Sequence, residues 1–431
     1  MSRQAVVVIH GIGEQRPMDT LRAFVAAVLP EPQSDRIKFL SVPDQMSESF
    51  ELRRLLAPQT RSRPITDFFE YYWAYQVCGT QFRHLAAWLK MLLFRKPWNV
   101  PRRLISIWVM TWVLVVAIAI ASLRLAPLLS GPPDQRDITV RILSWVFSVL
   151  LLPLVSGFAF GYLGDAARYL SPTPQNIAVR HRIRRDGVQL LRKLHRCGKY
   201  DRILVVGHSL GSVIGYDILK HYWQEVNNVH GSPLRVEQSS LENVEHAASL
   251  LDSSPDGAGH LQQFRSQQRE LWLEQRRLGN PWLVTDLVTV GSPLSHAAIL
   301  LANTPAELRQ RQGEMELPMS PPKRNLDRKF AYRVNYDVQN QRRTLRVLHH
   351  AAMFACTRWT NIYFPGDFVA GPVAPVFGLG VEDKIVRDSW VSSTPLSHTR
   401  YWPRSVTGAK LGDAVNAIRE ALDLDCKNWV A

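Results

Sequence analysis

Residues 202–211 read RILVVGHSLG, and this stretch decides the fold class. Its apolar, β-branched part predicts a strand that is buried on both faces of a sheet. The strand runs into a GxSxG pattern that extends from Gly207 to Gly211, and a helix is predicted over 213–222. A serine on a tight strand-to-helix turn presents its hydroxyl above the sheet, and the flanking glycines avoid Cβ clashes. Ser209 is therefore the candidate nucleophile, with a plain glycine-rich turn as the alternative.

A second buried strand is predicted at residues 5–9, which read AVVVI and are followed by HGIG at 10–13. Ester hydrolysis passes through a tetrahedral oxyanion, and each preorganised N–H donor to it is worth on the order of 3 kcal/mol. The backbone N–H groups of Ile12 and Leu210 are the candidate donors. His10 is expected to hydrogen-bond this loop and shape it without transferring protons. The residues expected to support the two turns are His10, Gly11, Gly13, Gly207 and Gly211.

A serine becomes nucleophilic when a base takes its proton, so a histidine and an orienting carboxylate are needed. His398 lies in a loop rich in Ser, Thr and Pro, just before the closing helix predicted over 410–424. Asp367 follows a predicted strand across a Pro-Gly turn, while Asp383 and Asp388 are competing carboxylates near the next strand. The chain order Ser, Asp, His predicts a triad of Ser209, Asp367 and His398. This chemistry requires no metal and no cofactor.

Three other histidines are candidates for the role of base. His349 and His350 are expected to face solvent or to cap a helix. His208 lies inside the GxSxG turn and is expected to be a packing residue. The sequence therefore assigns the role of base to His398.

These motifs resemble the α/β-hydrolase superfamily, in particular its lipase and esterase branch. The resemblance rests on HGIG, on GHSLG, on Gly-Ser-Pro-Leu at 291–294 and on the late Asp367 and His398. It implies an α/β fold with a mostly parallel sheet flanked by helices, and the alternation of predicted strands and helices indicates the same. The resemblance covers residues 1–30, 200–224, 283–300 and 359–424, and two polar stretches outside it, 225–280 and 303–346, are predicted to be cap insertions.

Two uncharged apolar segments, 104–123 and 142–163, separate the two predicted strands. As helices, each would span the ~30 Å hydrocarbon core of a bilayer. Basic residues flank both outer ends, so the positive-inside rule predicts a transmembrane hairpin with the catalytic domain in the cytoplasm. A buried hairpin or an apolar lid is the alternative. The predicted organisation is an N-terminal part of the hydrolase domain over 1–95, the hairpin over 96–170 and the main part over 171–431.

The composition bounds the partners and the compartment. A net charge of +15 suits an anionic surface, but no zinc-finger, phosphate-loop or RNA-binding signature accompanies it, so a membrane lipid bilayer is expected and nucleic acid is not. The four cysteines have no CxxC spacing, which predicts a reducing compartment rather than a disulfide framework or a metal cluster. No signal peptide is predicted at the amino terminus.

The sequence thus predicts a membrane-anchored serine hydrolase that cleaves carboxylic esters through an acyl-enzyme. The hairpin favours a lipid-like substrate. Two alternatives stay open: a thioesterase or acyltransferase on the same triad, since the acyl-enzyme is common to all three, and a non-catalytic membrane scaffold with a hydrolase fold. The sequence does not determine the acyl-chain length of the substrate or the oligomeric state.

Overall fold

The structure is a computed structural model. It describes residues 2–11, 16–30, 37–77, 174–231, 237–253, 257–338, 341–388, 390–402 and 412–425, with the single positions 105, 108, 109, 112 and 169. Apart from four of those single positions, the predicted membrane segments 104–123 and 142–163 lie outside the described residues, and so do Ile12 and Gly13. Among the helices that are described, none combines the length and the apolar character needed to cross a bilayer.

The described strands are β1 (Arg3–Ile9), β2 (Leu40–Pro43), β3 (Arg53–Ala57), β4 (Ile65–Tyr71), β5 (Arg202–His208), β6 (Val284–Val290), β7 (Ala331–Val338), β8 (Gln341–Leu348), β9 (Arg358–Tyr363) and β10 (Val381–Ile385). Eight of them form one sheet in the order β10-β9-β6-β5-β1-β4-β3-β2, and β7 pairs with β8 in a separate hairpin. Neighbours from β10 to β4 are parallel, whereas β3 and β2 continue the sheet antiparallel.

The described helices are α1 (Asp19–Val28), α2 (Pro174–Arg196), α3 (Leu210–Val226), α4 (Ser239–Ser253), α5 (Gly257–Arg277), α6 (Ala297–Leu300), α7 (Pro305–Gly313), α8 (Ala374–Phe377) and α9 (Asp413–Leu422). They cover both faces of the sheet. Successive side chains of a strand point to opposite faces, and the apolar side chains on each face are buried against helices. In β1, Val6 and Val8 pack with α1 and α9, and Val7 packs with α2 and α3. The protein is therefore α/β, with a mostly parallel sheet between helices.

The polar stretch 225–280 consists mainly of α4 and α5, which pack against each other. Their apolar side chains, among them Leu241, Phe264 and Leu271, belong to the same buried cluster as α2 and α3. The second polar stretch, 303–346, holds α7 and most of the β7–β8 hairpin. The helices in both stretches are polar overall because only one side of each helix is buried.

The sheet brings the predicted site together. Strands β1, β5, β6 and β9 are parallel neighbours, so their carboxyl ends meet at one edge. The segments that leave this edge contain Gly11, Ser209, Gly291 and Asp367. These residues come from distant parts of the chain, and the parallel pairing places them side by side.

Candidate active site

Ser209 occupies the turn between β5 and α3 with a backbone that is unusual for a residue with a Cβ atom, at φ 52° and ψ −127°. The two glycines of GxSxG are required by close backbone approaches. A Cβ atom at Gly207 would lie 2.5 Å from the Ser212 Cα atom, and one at Gly211 would lie 2.2 Å from the Ile9 carbonyl oxygen. Real Cβ atoms do not approach other atoms so closely, so glycine is needed at both positions. Gly207 therefore lets the turn pack against the start of α3, and Gly211 lets it pack against the end of β1.

Three side chains form a continuous hydrogen-bonded chain. His398 Nε2 lies 2.9 Å from Ser209 Oγ, and His398 Nδ1 lies 2.8 Å from Asp367 Oδ2. An ionised carboxylate only accepts hydrogen bonds, so Nδ1 carries the hydrogen and Nε2 is free to accept the serine proton. All three residues are buried, with exposed fractions of 2% for Ser209, 4% for His398 and 1% for Asp367. The geometry is that of a serine activated by a general base.

The Asp367 carboxylate is held by donors on both oxygens. Oδ1 accepts the backbone N–H groups of Val369 (2.9 Å) and Ala370 (3.3 Å), and Oδ2 accepts the Tyr401 hydroxyl (2.7 Å) as well as His398 Nδ1–H. Burial alone raises the pKa of Asp367, but the hydrogen bond and charge of His398, with the Tyr401 hydrogen bond, hold that pKa below its usual range. The carboxylate is thus kept ionised next to the base.

The two competing carboxylates have other roles. Asp383 accepts the side-chain N–H of Asn361 and the backbone N–H groups of Val373 and Ala374, so it organises the start of α8. Asp388 accepts the backbone N–H of Ala414 in the first turn of α9. The structure pairs Asp367 with His398 and uses the other two carboxylates to order the backbone.

The oxyanion side of the site is described in part. Leu210 is the first residue of α3, where backbone N–H groups have no partner within the helix and the helix dipole is positive. Gly11 lies against Ser209, since a Cβ atom at Gly11 would be 2.8 Å from the Ser209 Cβ. The second predicted donor, Ile12, and the neighbouring Gly13 lie outside the described residues, so their role stays a prediction.

His10 is fully buried beside this loop. Its Nδ1–H donates to the Gly11 carbonyl (2.8 Å), and its Nε2 accepts the Trp73 backbone N–H (3.3 Å). Its ring stacks on the Trp73 indole with centroids 5.2 Å apart. Burial lowers the pKa of His10 to about 4. A neutral ring with both nitrogens occupied orders the loop and is unsuited to moving protons.

Two residues next to the triad were not assigned such contacts from sequence. His208 stacks on the His398 ring at 5.4 Å, and its Nε2–H donates to the His398 backbone carbonyl (3.1 Å), so it does more than fill space. Burial, and then the charge of His398, lowers the pKa of His208 to about 3. Tyr401, which donates to Asp367, was not singled out at all. Its only sequence signal is its position three residues after His398.

His349 contradicts the expectation that it faces solvent or caps a helix. It is buried, its Nε2–H donates to the Lys323 carbonyl (2.9 Å), and its Nδ1 accepts the Ala351 N–H (3.2 Å). Its neighbour His350 is exposed. A histidine with both nitrogens satisfied by backbone can be buried without charge, and the local sequence does not reveal the distant partner, the Lys323 carbonyl.

The arrangement can activate a serine for attack on a carbonyl group and can return the proton to a leaving group. Within the described residues, no cluster of three or more His, Cys, Asp or Glu side chains could hold a metal ion. Comparisons with protein-family models, with curated proteins and with solved structures found no match for this chain. Its function therefore has to be argued from the geometry of the site.

Proposed function

We propose that this chain is a serine hydrolase of the α/β-hydrolase type that cleaves carboxylic esters through an acyl-enzyme on Ser209. The observation that carries the proposal is the unbroken pair of hydrogen bonds from Asp367 through His398 to Ser209 Oγ. The fold type is supported by the parallel sheet, by the strand–turn–helix position of the serine and by the chain order Ser, Asp, His.

In the acylation step, Ser209 Oγ attacks the ester carbonyl carbon while His398 Nε2 takes the hydroxyl proton. The carbonyl oxygen becomes an oxyanion, which the Leu210 N–H at the start of α3 and, as predicted, the Ile12 N–H would stabilise. When the tetrahedral intermediate collapses, the bond to the alcohol oxygen breaks and His398 gives its proton to that oxygen. The products are the free alcohol and an acyl group on Ser209.

Deacylation repeats the cycle with water as the nucleophile. His398 takes a proton from the water, the hydroxyl adds to the acyl carbon, and the bond to Ser209 Oγ breaks as the proton returns to the serine. The ionised Asp367 stabilises the imidazolium that forms in both steps and holds its Nδ1–H in place. The low pKa of Asp367 supports this role, because the carboxylate stays charged when His398 becomes charged.

The proposal includes a membrane-anchored enzyme, with a lipid-like substrate and a catalytic domain that faces the cytoplasm. It is supported by sequence alone, through the uncharged segments 104–123 and 142–163 and the basic residues outside them. If it is correct, the full chain resists carbonate extraction from membranes, and deletion of residues 104–163 releases it. A full-length protein that stays in solution without detergent would contradict the anchor while leaving the hydrolase proposal intact.

Thioester cleavage and acyl transfer pass through the same acyl-enzyme, so the triad supports them equally. A non-catalytic scaffold is the less favoured alternative, since it needs neither the strained serine turn nor the aligned histidine and carboxylate. A serine-directed fluorophosphonate probe separates the enzymes from the scaffold. Acyl-CoA thioesters and alcohol acceptors, offered alongside esters, separate the three reactions.

The decisive experiment combines that probe with p-nitrophenyl esters of increasing acyl length, assayed in detergent. Wild type is compared with Ser209→Ala and with Ser266→Ala, which removes an exposed hydroxyl on α5. We expect labelling and hydrolysis in wild type and Ser266→Ala, both lost in Ser209→Ala. Activity that rises with acyl length would support a lipid-like substrate, whereas labelling that persists in Ser209→Ala would refute the nucleophile assignment.

A further inference from the structure

Among the described contacts, Tyr401 is the one residue outside the triad whose hydroxyl donates a hydrogen bond to the Asp367 carboxylate. It is 1% exposed, and its O–H donates to Asp367 Oδ2 at 2.7 Å. This is the same oxygen that accepts His398 Nδ1–H at 2.8 Å. Two donors therefore share one carboxylate oxygen, and losing one of them changes how strongly that oxygen accepts from the other.

The phenol is held in one orientation by a third contact. The backbone N–H of Phe364 donates to the Tyr401 hydroxyl oxygen (3.1 Å), and the two rings stack with centroids 4.4 Å apart. Because the oxygen accepts from Phe364, its single hydrogen is directed at Asp367. Hydrogen bonds in such a chain polarise one another, which strengthens the donation to the carboxylate.

The Gly-Ser-Pro-Leu motif at 291–294 gains a purpose from the same ring. Gly291 has φ +60°, and a Cβ atom there would lie 2.7 Å from Tyr401 Cε2 and 3.4 Å from Asp367 Oδ2. Only glycine leaves room for the phenol between the end of β6 and the acid. The motif carried part of the resemblance to hydrolases, and the triad itself does not use it.

We propose that Tyr401 is a positioning residue that acts through Asp367, with Gly291 providing the space for its ring. The inference rests on the proposed function. By donating to Oδ2, Tyr401 lowers the negative charge that this oxygen presents to His398 and fixes the angle at which it accepts Nδ1–H. It thereby sets how strongly the carboxylate holds the imidazolium formed during catalysis.

The titratable groups that surround the carboxylate on the described elements must be considered in any pH experiment. His398 and Tyr401 bond to the carboxylate, and His208 interacts with both His398 and Asp367. His296 binds the Phe368 carbonyl next to Asp367, and His10 lies farther out, beside His208. Removing the Tyr401 hydroxyl leaves the rings of the other four unchanged. The carboxylate then has fewer donors, becomes more basic and stabilises a protonated partner more strongly.

The test is a histidine-ring NMR titration in a Ser209→Ala background, where no turnover is needed. We expect Tyr401→Phe to move the midpoint of the His398 ring signal upward by roughly 0.5 to 1 pH unit. The matched control is Tyr200→Phe, since the Tyr200 hydroxyl also donates to a buried carboxylate, Asp67 Oδ2 at 2.8 Å, before the start of β5. Both variants lose one tyrosine-to-carboxylate hydrogen bond, but Asp67 is paired with Arg3 and Arg54 and not with His398.

In the catalytic Ser209 background, Tyr401→Phe should lower kcat by about tenfold and change KM little, because Asp367 no longer fixes the angle at which His398 faces Ser209, and this loss outweighs the stronger hold on the imidazolium. The acid limb of the pH–rate profile should move upward. A His398 midpoint that is the same in Tyr401→Phe and Tyr200→Phe would overturn the proposal and leave Tyr401 a structural residue. Failure of the proposed function would give a different result, namely a wild type that the fluorophosphonate probe does not label. The NMR comparison of the two tyrosine variants does not depend on that labelling.

Discussion

The backbone of the turn that carries Ser209 is strained, and a pair of substitutions can measure that strain. At φ 52° and ψ −127°, Ser209 adopts a conformation that glycine takes freely and that costs other residues about 1–3 kcal/mol. Ser209→Ala and Ser209→Gly both remove the hydroxyl and its hydrogen bond to His398. The difference between their free energies of unfolding therefore isolates the Cβ atom at this backbone geometry.

Two effects oppose each other in that difference. Relief of strain favours glycine by about 1–3 kcal/mol, and the larger entropy of glycine in the unfolded chain disfavours it by about 0.5–1 kcal/mol. Strain is the larger of the two, so we expect Ser209→Gly to be more stable than Ser209→Ala by about 1 kcal/mol. This order is the reverse of the one found at ordinary positions.

The assay is urea unfolding of the two variants, compared at equal slope of free energy against denaturant. Ser266 supplies the control pair, because it is exposed in the interior of α5, where alanine should be more stable than glycine by about 1 kcal/mol. Opposite orders at the two positions are expected. If Ser209→Gly proves no more stable than Ser209→Ala, the turn stores no strain and the reasoning fails.

Three further predictions follow from the same site and its surroundings. His398→Ala should lower ester turnover by roughly three orders of magnitude or more while leaving the protein folded, and near-normal kinetics would exclude His398 as the base. Gly211→Ala, whose Cβ would lie 2.2 Å from the Ile9 carbonyl oxygen, should displace the turn and abolish probe labelling, so a fully labelled variant would contradict the packing argument. Burial lowers the pKa of four histidines, His10, His195, His208 and His349, below the ordinary 6.5. As the pH falls, the unfolded chain therefore takes up protons before the folded chain does, and the free energy of unfolding should fall below about pH 6.5. The urea midpoint should be lower at pH 5 than at pH 7, and equal midpoints would contradict this prediction.

Much of the fold was predictable from local patterns. Strands β1, β5 and β6 are rich in β-branched residues, which predicts strands at 5–9, 202–206 and 283–290. The structure has each of these strands within two residues of those ends. The aromatic run over 68–75 fits a strand and the start of an amphipathic helix equally well by its pattern. In the structure it divides into the end of β4 and a short 3-10 turn at Ala74–Val77. The pattern also indicates a possible strand near 384–386, and the structure has β10 at Val381–Ile385, whose polar residues carry no clear alternation.

The turn that carries Ser209 follows from local sequence, since a buried strand, two glycines and a helix are features that dictate backbone conformation and burial. Local sequence also places His398 and Asp367 in suitable loops. Which of these groups meet depends on how the sheet and its helices pack. His398 and Ser209 are 189 positions apart, and Asp367 rather than Asp383 or Asp388 accepts from the His398 ring.

The tertiary structure alone also decided the contacts of Tyr401 and His208 with the triad and the merging of α4 and α5 into the main core. The physical reason is the same in each case. Local sequence determines how a segment folds and which of its faces is apolar, but a side-chain hydrogen bond needs two groups within about 3 Å. Only the packing of the sheet and its helices brings distant residues to that distance.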